Sequence, residues 1–242
     1  VNFFVVQKDL VSQYQQGSCS SFIDGNEIRN WIFGDQTRLW CTGIPGSGKT
    51  TAVAALVERL RATYQPGDKV KTAAVFCDFK MTEALSVSNI IAGIWLQITA
   101  FSGLGDDTIA LYNANLETGT LPSLDDLLRL LQVELRSNLK LLLIIDALDE
   151  LPDTSAMTLL NAINQLKGNL NVLITSRLAP VHQLPLGLTN AARLEISASS
   201  QDLERFIDTR INNQSLLLRH IQKKPELKGE IKDVIKRKCG KM

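Results

Sequence analysis

The chain has 242 residues, 45% hydrophobic and 21% charged, an ordinary globular composition with room for one large domain or one domain and a small partner. A formal net charge of +1 gives no bulk field toward nucleic acid or a membrane, and the longest apolar runs, "LKLLLIIDAL" and "NIIAGIWLQITAF", are too short to span a bilayer. Cys19, Cys41, Cys77 and Cys239 are scattered without a CxxC pair, and His182 and His220 stand alone as surface residues, which argues against zinc and for a reducing, intracellular setting.

The opening "VNFFVVQKDL" lacks the features of a signal peptide and an initiator Met, which suggests a fragment or a trimmed product. Residues 1–37 form a leader in which a short helix opens after Asp24 or Asn26, with Ile28, Trp31 and Ile32 on one face. Arg38–Thr42 is the first strand, and Lys49–Tyr64 has helical spacing until "QPGD" stops it. "KVKTAAVFCDF" is a second strand, and "SVSNIIAGIWLQITAF" a helix apolar nearly all round, hence buried. Asp107–Leu116 and Ser123–Ser137 follow as helices, the second with Ser123 as N-cap and Asp126 in its first turn.

"KLLLIIDALDELPD" is a continuous apolar strand that ends in acids, and Thr154–Lys167 is the next helix. "LNVLITSRLAP" and "ARLEIS" are strands, and "SSQDLERFIDTRINN" a helix capped by Ser199 or Ser200. The basic tail presents Ile231, Val234 and Ile235 on one face and reads as a solvated helix with pairs such as Asp233–Arg237. Strands that are apolar throughout and alternate with helices indicate a parallel sheet covered on both faces. Chemistry in such sheets gathers at the carboxyl ends of the strands.

At the end of the first strand, "GIPGSGKT" matches GxxxxGKT/S in full. The glycines let backbone N–H groups turn inward toward phosphate oxygens, and the helix that follows adds its positive end. Gly43, Ile44, Pro45, Gly46, Ser47, Gly48, Lys49, Thr50 and Thr51 form the expected nucleotide cradle, with Lys49 reaching phosphate and Thr50 ligating Mg²⁺. Asp146 ends the buried strand "LLLIID", where a carboxylate needs a partner; Mg²⁺ held near Thr50 is one.

Many ATPases place Glu directly after this Asp to polarise water, and here the position is Ala147. Asp149 and Glu150 come later and either orient water or cap the following helix. Arg177, at the exit of "NVLITSR", either senses a γ-phosphate or makes a surface salt bridge.

Together "LWCTGIPGSGKTTAV", "AVFCDFK", "LLLIIDALDEL", "NVLITSRLAP" and "LEISASSQDLERFIDTRI" resemble, in order and spacing, the NACHT family of signal-transducing NTPases, in the fungal NOD-like receptor or nephrocystin-like N-terminal form. The resemblance implies an α/β, three-layer P-loop NTPase with a five-stranded parallel sheet of order 5-1-4-3-2, followed by the start of a small helical domain. The corresponding segments are a leader over 1–37, an NTPase core over 38–197 and a partial helical subdomain over 198–242.

The resemblance further implies ATP or GTP with Mg²⁺, the metal held by Thr50 and Asp146, hydrolysis by Asp149 and Glu150, and γ-phosphate sensing by Arg177. It implies self-association through the NTPase domain, effector and repeat sensor domains in a longer protein, a cytoplasmic setting, and no direct contact with nucleic acid or membrane. Two other readings stay open: a P-loop kinase of a nucleotide or small molecule, and a scaffold that binds nucleotide without turnover.

Overall fold

A computed structural model describes residues 19–65, 67–78, 86–100, 105–137, 139–177, 191–197 and 200–239. Five strands, β1 (Arg38–Thr42), β2 (Val70–Phe76), β3 (Lys140–Asp146), β4 (Asn169–Ser176) and β5 (Ala192–Glu195), form one sheet of order β2-β3-β4-β1-β5. Every neighbouring pair is parallel. This is the α/β architecture expected from the sequence pattern and the strand order implied by the family resemblance.

The unbroken apolar runs follow from burial on both faces. Successive side chains point to opposite sides of a strand, so Leu141, Leu143 and Ile145 enter one core while Leu142 and Ile144 enter the other. The first core is covered by α4 (Val87–Thr99), α6 (Leu124–Arg136) and α7 (Asp153–Gln165), in which Ile90, Ile94, Leu131, Leu159 and Ile163 are buried. The second is covered by α2 (Asn26–Phe33) and α3 (Lys49–Thr63), through Ile28, Trp31, Val53, Leu56, Val57 and Leu60. Each such side chain contributes about 1.5–3 kcal/mol by leaving water.

A short helix α1 (Ser20–Ile23) precedes α2, which opens after Asp24, with Gly25 as its N-cap and no side-chain cap bond. The leader helix belongs to the same core as the phosphate-loop helix. Its last carbonyls are held by side chains of the sheet, where Lys140 Nζ of β3 donates to Ile32 O at 2.6 Å and Asn171 Nδ2 of β4 donates to Trp31 O.

The expected Ser123 cap is a full capping box, in which Asp126 N donates to Ser123 Oγ and Ser123 N to the Asp126 carboxylate. Between α4 and α6 lies α5 (Asp106–Thr118), longer than the expected 107–116.

After β5 come α8 (Ser200–Asn212), α9 (Ser215–Lys223) and α10 (Glu226–Cys239), three helices in mutual contact. The sequence pattern assigns no element to Ser215–Lys223, a nine-residue helix with no buried residue. The lysines of α10 pair across to α8, with Lys228 Nζ 2.9 Å and Lys232 Nζ 2.7 Å from the Asp208 carboxylate, and Lys236 on Glu204. Among the described residues the expected Asp233–Arg237 pair along the helix is not one of the ion pairs found. His220 is exposed, whereas His182 and Ser199 lie outside the described residues.

Candidate functional site

The parallel sheet brings the exits of β1, β3 and β4 to one edge, with β4 between the other two. From β1 the chain runs through Gly43–Gly48 into α3. Gly43 has to be glycine, since a Cβ there would lie 2.5 Å from Ile196 O and 2.6 Å from Ser47 Oγ. Gly46 and Gly48 take φ of +80° and +85°, the left-handed region open to glycine, with empty space where their Cβ atoms would be.

Lys49 folds back over this loop and donates to Gly43 O at 2.7 Å and Ile44 O at 3.0 Å. Partial burial pulls its ammonium below the ordinary lysine range, opposed by Asp149 and Asp146. Ser47 Oγ is buried without a hydrogen-bond partner. A loop lined by a cation, an orphaned hydroxyl and the start of a helix suits an anion. Ile44, Pro45 and Thr51 are exposed at its rim.

Asp146 is 1% exposed at the end of β3. Burial pushes its carboxyl above the usual carboxylate range, while hydrogen bonds from Thr175 and Thr50 and the charge of Lys49 favour the ionised form. Thr50 therefore lies near Asp146, and both carry hard oxygen donors of the kind Mg²⁺ prefers. Burial, with Asp146, Glu150 and Asp149 nearby, pushes the Cys77 thiol up to about 12, so it stays protonated and unreactive at neutral pH.

Beyond Asp146 the chain turns sharply. Ala147 is left-handed at φ 55°, and Leu148–Glu150 form a single 3₁₀ turn. Neither Asp149 nor Glu150 caps α7, whose N-cap is Pro152 without a side-chain bond. Both acids instead meet Arg177. Its Nε lies 3.1 Å from Asp149, a terminal nitrogen lies 3.8 Å from Glu150, and its backbone N–H donates to Asp149 Oδ1 at 3.1 Å. The salt-bridge reading of Arg177 thus holds, with Asp149 and Glu150 as its partners.

The sequence pattern marks Thr175 and Ser176 only as polar residues at a strand exit. Ser176 Oγ accepts from Trp40 Nε1 at 2.8 Å, tying β4 to β1 below the loop, and Arg193 stacks 4.9 Å over that indole. A cavity of 610 Å³ lies elsewhere, against α6 and near Leu166, and none of these residues lines it.

Among solved structures the chain is similar to the Aeropyrum pernix ORC2 protein in ADPNP-ADP complexes, with 18% identity, TM-score 0.50, and coverage of 80% of this chain and 51% of that one. It is similar also to Cdc6p from Pyrobaculum aerophilum, at 16% identity and TM-score 0.52 over 82% of this chain and 50% of that one. A chain of Drosophila ORC bound to DNA gives 18% identity and TM-score 0.52 over 92% of this chain and 57% of that one. These likenesses show a P-loop NTPase fold, and the chain spans about half the length of the first two structures it matches. No curated protein matches it in sequence. A family model described as "Nephrocystin 3, N-terminal" matches residues 17–177, well over half of the sequence, and the chain belongs to that family.

Proposed function

We propose that the chain is the nucleotide-binding module of a signal-transduction NTPase. It takes a nucleoside triphosphate, ATP or GTP, with Mg²⁺ in the loop Gly43–Thr51. One observation supports this reading: Lys49 folds over the loop onto Gly43 O, and the fold brings Asp146, nearly a hundred residues further along the sequence, close enough for Lys49 and Thr50 to favour its ionised form.

In this reading the Lys49 ammonium exchanges the carbonyls of Gly43 and Ile44 for phosphate oxygens. Thr50 and Asp146 would hold the cation together with phosphate oxygens. Mg²⁺, when bound, would neutralise charge on the phosphates.

Asp149 and Glu150 serve hydrolysis by orienting water, and Arg177 senses the γ-phosphate. Their pairing in the structure means that phosphate competes with two carboxylates for one guanidinium. Turnover is slow on this account, since Ala147 stands directly after Asp146 and the acids begin engaged.

Residues 38–197 are the NTPase core and 198–242 the start of a helical subdomain. The sequence resemblance supports the remaining part: a nucleotide-controlled oligomerisation switch of the fungal self/non-self or innate-immunity kind, cytoplasmic, with effector and sensor domains in a longer protein. Light scattering tests the switch. We expect a higher mass with triphosphate and Mg²⁺ than without, and an unchanged monomer contradicts it.

A further inference from the structure

Thr175 is fully buried at the carboxyl end of β4, and its hydroxyl works in two directions. The O–H donates to Asp146 Oδ1 at 2.6 Å, while the same oxygen accepts the backbone N–H of Ala147 at 2.8 Å. A short hydroxyl-to-carboxylate bond is charge-assisted and directional. It fixes the side chain of Asp146 about an axis that a strand-end carboxylate would otherwise be free to sample. The second bond holds Ala147 where the chain is left-handed, a conformation unfavourable for a residue with a Cβ.

That turn sends Asp149 and Glu150 back toward Arg177, two residues after Thr175 on the same strand exit. The Arg177 N–H to Asp149 bond is a third link between the same two exits. Thr175 is thus the hydroxyl bonded to Asp146, while Thr50 favours the ionised carboxylate from the phosphate-loop side. Thr50 sits at the start of the phosphate-loop helix, where a ligand would compete for it, and Thr175 sits fully buried in the sheet.

We propose that Thr175 is the positioning residue of this site, its buried hydroxyl orienting the Asp146 carboxylate toward a Mg²⁺–nucleotide and pinning the Ala147 turn that delivers Asp149 and Glu150. The inference rests on the nucleotide reading above. It assigns Thr175 no contact with substrate.

The test compares binding of fluorescent ATP and GTP analogues in EDTA and in excess Mg²⁺ for the wild type, Thr175→Val and Thr175→Ser. In EDTA the loop alone binds, so Thr175→Val stays within about twofold of wild type. The Mg²⁺-dependent gain in affinity falls by about tenfold in Thr175→Val, as expected for loss of a charged hydrogen bond. Thr175→Ser, which keeps the hydroxyl, retains most of the gain.

A full Mg²⁺ gain in Thr175→Val, or its loss in a folded Thr175→Ser, overturns the proposal. If Thr175→Val does not fold, the serine variant decides alone. A wild type that binds neither analogue refutes the nucleotide reading itself, which separates that failure from this one.

Discussion

Gln97 bridges to an edge strand of the sheet. Among the described residues strand β2 pairs only with β3, so one row of its backbone groups has no described strand beside it. The amide of Gln97, buried on α4, stands in for one: Oε1 accepts from Ala74 N at 3.0 Å and Nε2 donates to Ala74 O at 3.0 Å. Nε2 also donates to Gly93 O, and Arg61 from α3 donates to Oε1 at 2.7 Å. A buried polar group left unpaired costs about 1–3 kcal/mol. Gln97→Leu orphans both groups of Ala74, so urea denaturation should show a loss of about 2 kcal/mol or more. A change under about 0.5 kcal/mol, typical of an uninvolved surface site, contradicts the bridge.

Residues at this scale were legible where a motif demands a type. Gly43, Lys49, Thr50 and Asp146 could be named because phosphate chemistry restricts what stands at each position. Gln97 and Thr175 could not, because their roles depend on a partner brought in from another strand or helix.

Among the elements, the strands and the helices with a long apolar stripe were readable from pattern. Leu141–Ile145 has no polar interruption, and only a strand buried on both faces needs that. Ser215–Lys223 was not readable because it buries nothing and is shorter than an isolated helix can sustain. Its place depends on α8 and α10.

Those two are joined by ion pairs whose pH response has a definite sign. Lys232 and Lys228 pull the Asp208 carboxyl below its usual range, and Lys236 does the same to Glu204. A lowered folded pKa contributes stability above the unfolded value, about 4, which is lost as pH falls through the folded value. Glu204 in turn raises Lys236, a contribution complete below the ordinary lysine range and lost as pH rises through the folded value. Amide exchange over residues 226–239, corrected for intrinsic rate, should accelerate below about pH 4. Asp208→Asn should loosen the same segment at pH 7. Equal protection in both cases contradicts the pairing.

For the whole molecule, the sheet order follows from the placement of β4 between β1 and β3, which puts the strand carrying Thr175 and Arg177 between the phosphate loop and Asp146. The order itself came from family resemblance, since parallel strands connected by helices leave several orders open to a reading of local pattern. The consequence is a site assembled from three strand exits, with its acids and its arginine already engaged.

The central claim is that this edge holds a nucleotide. Titration with a fluorescent ATP or GTP analogue in Mg²⁺ tests it most directly, on the wild type and on Lys49→Ala. The account predicts saturable binding by the wild type and a loss of about 10- to 100-fold in Lys49→Ala, the value of a charged hydrogen bond of about 1.5–3 kcal/mol. Binding of equal strength by both proteins, or by neither, contradicts it.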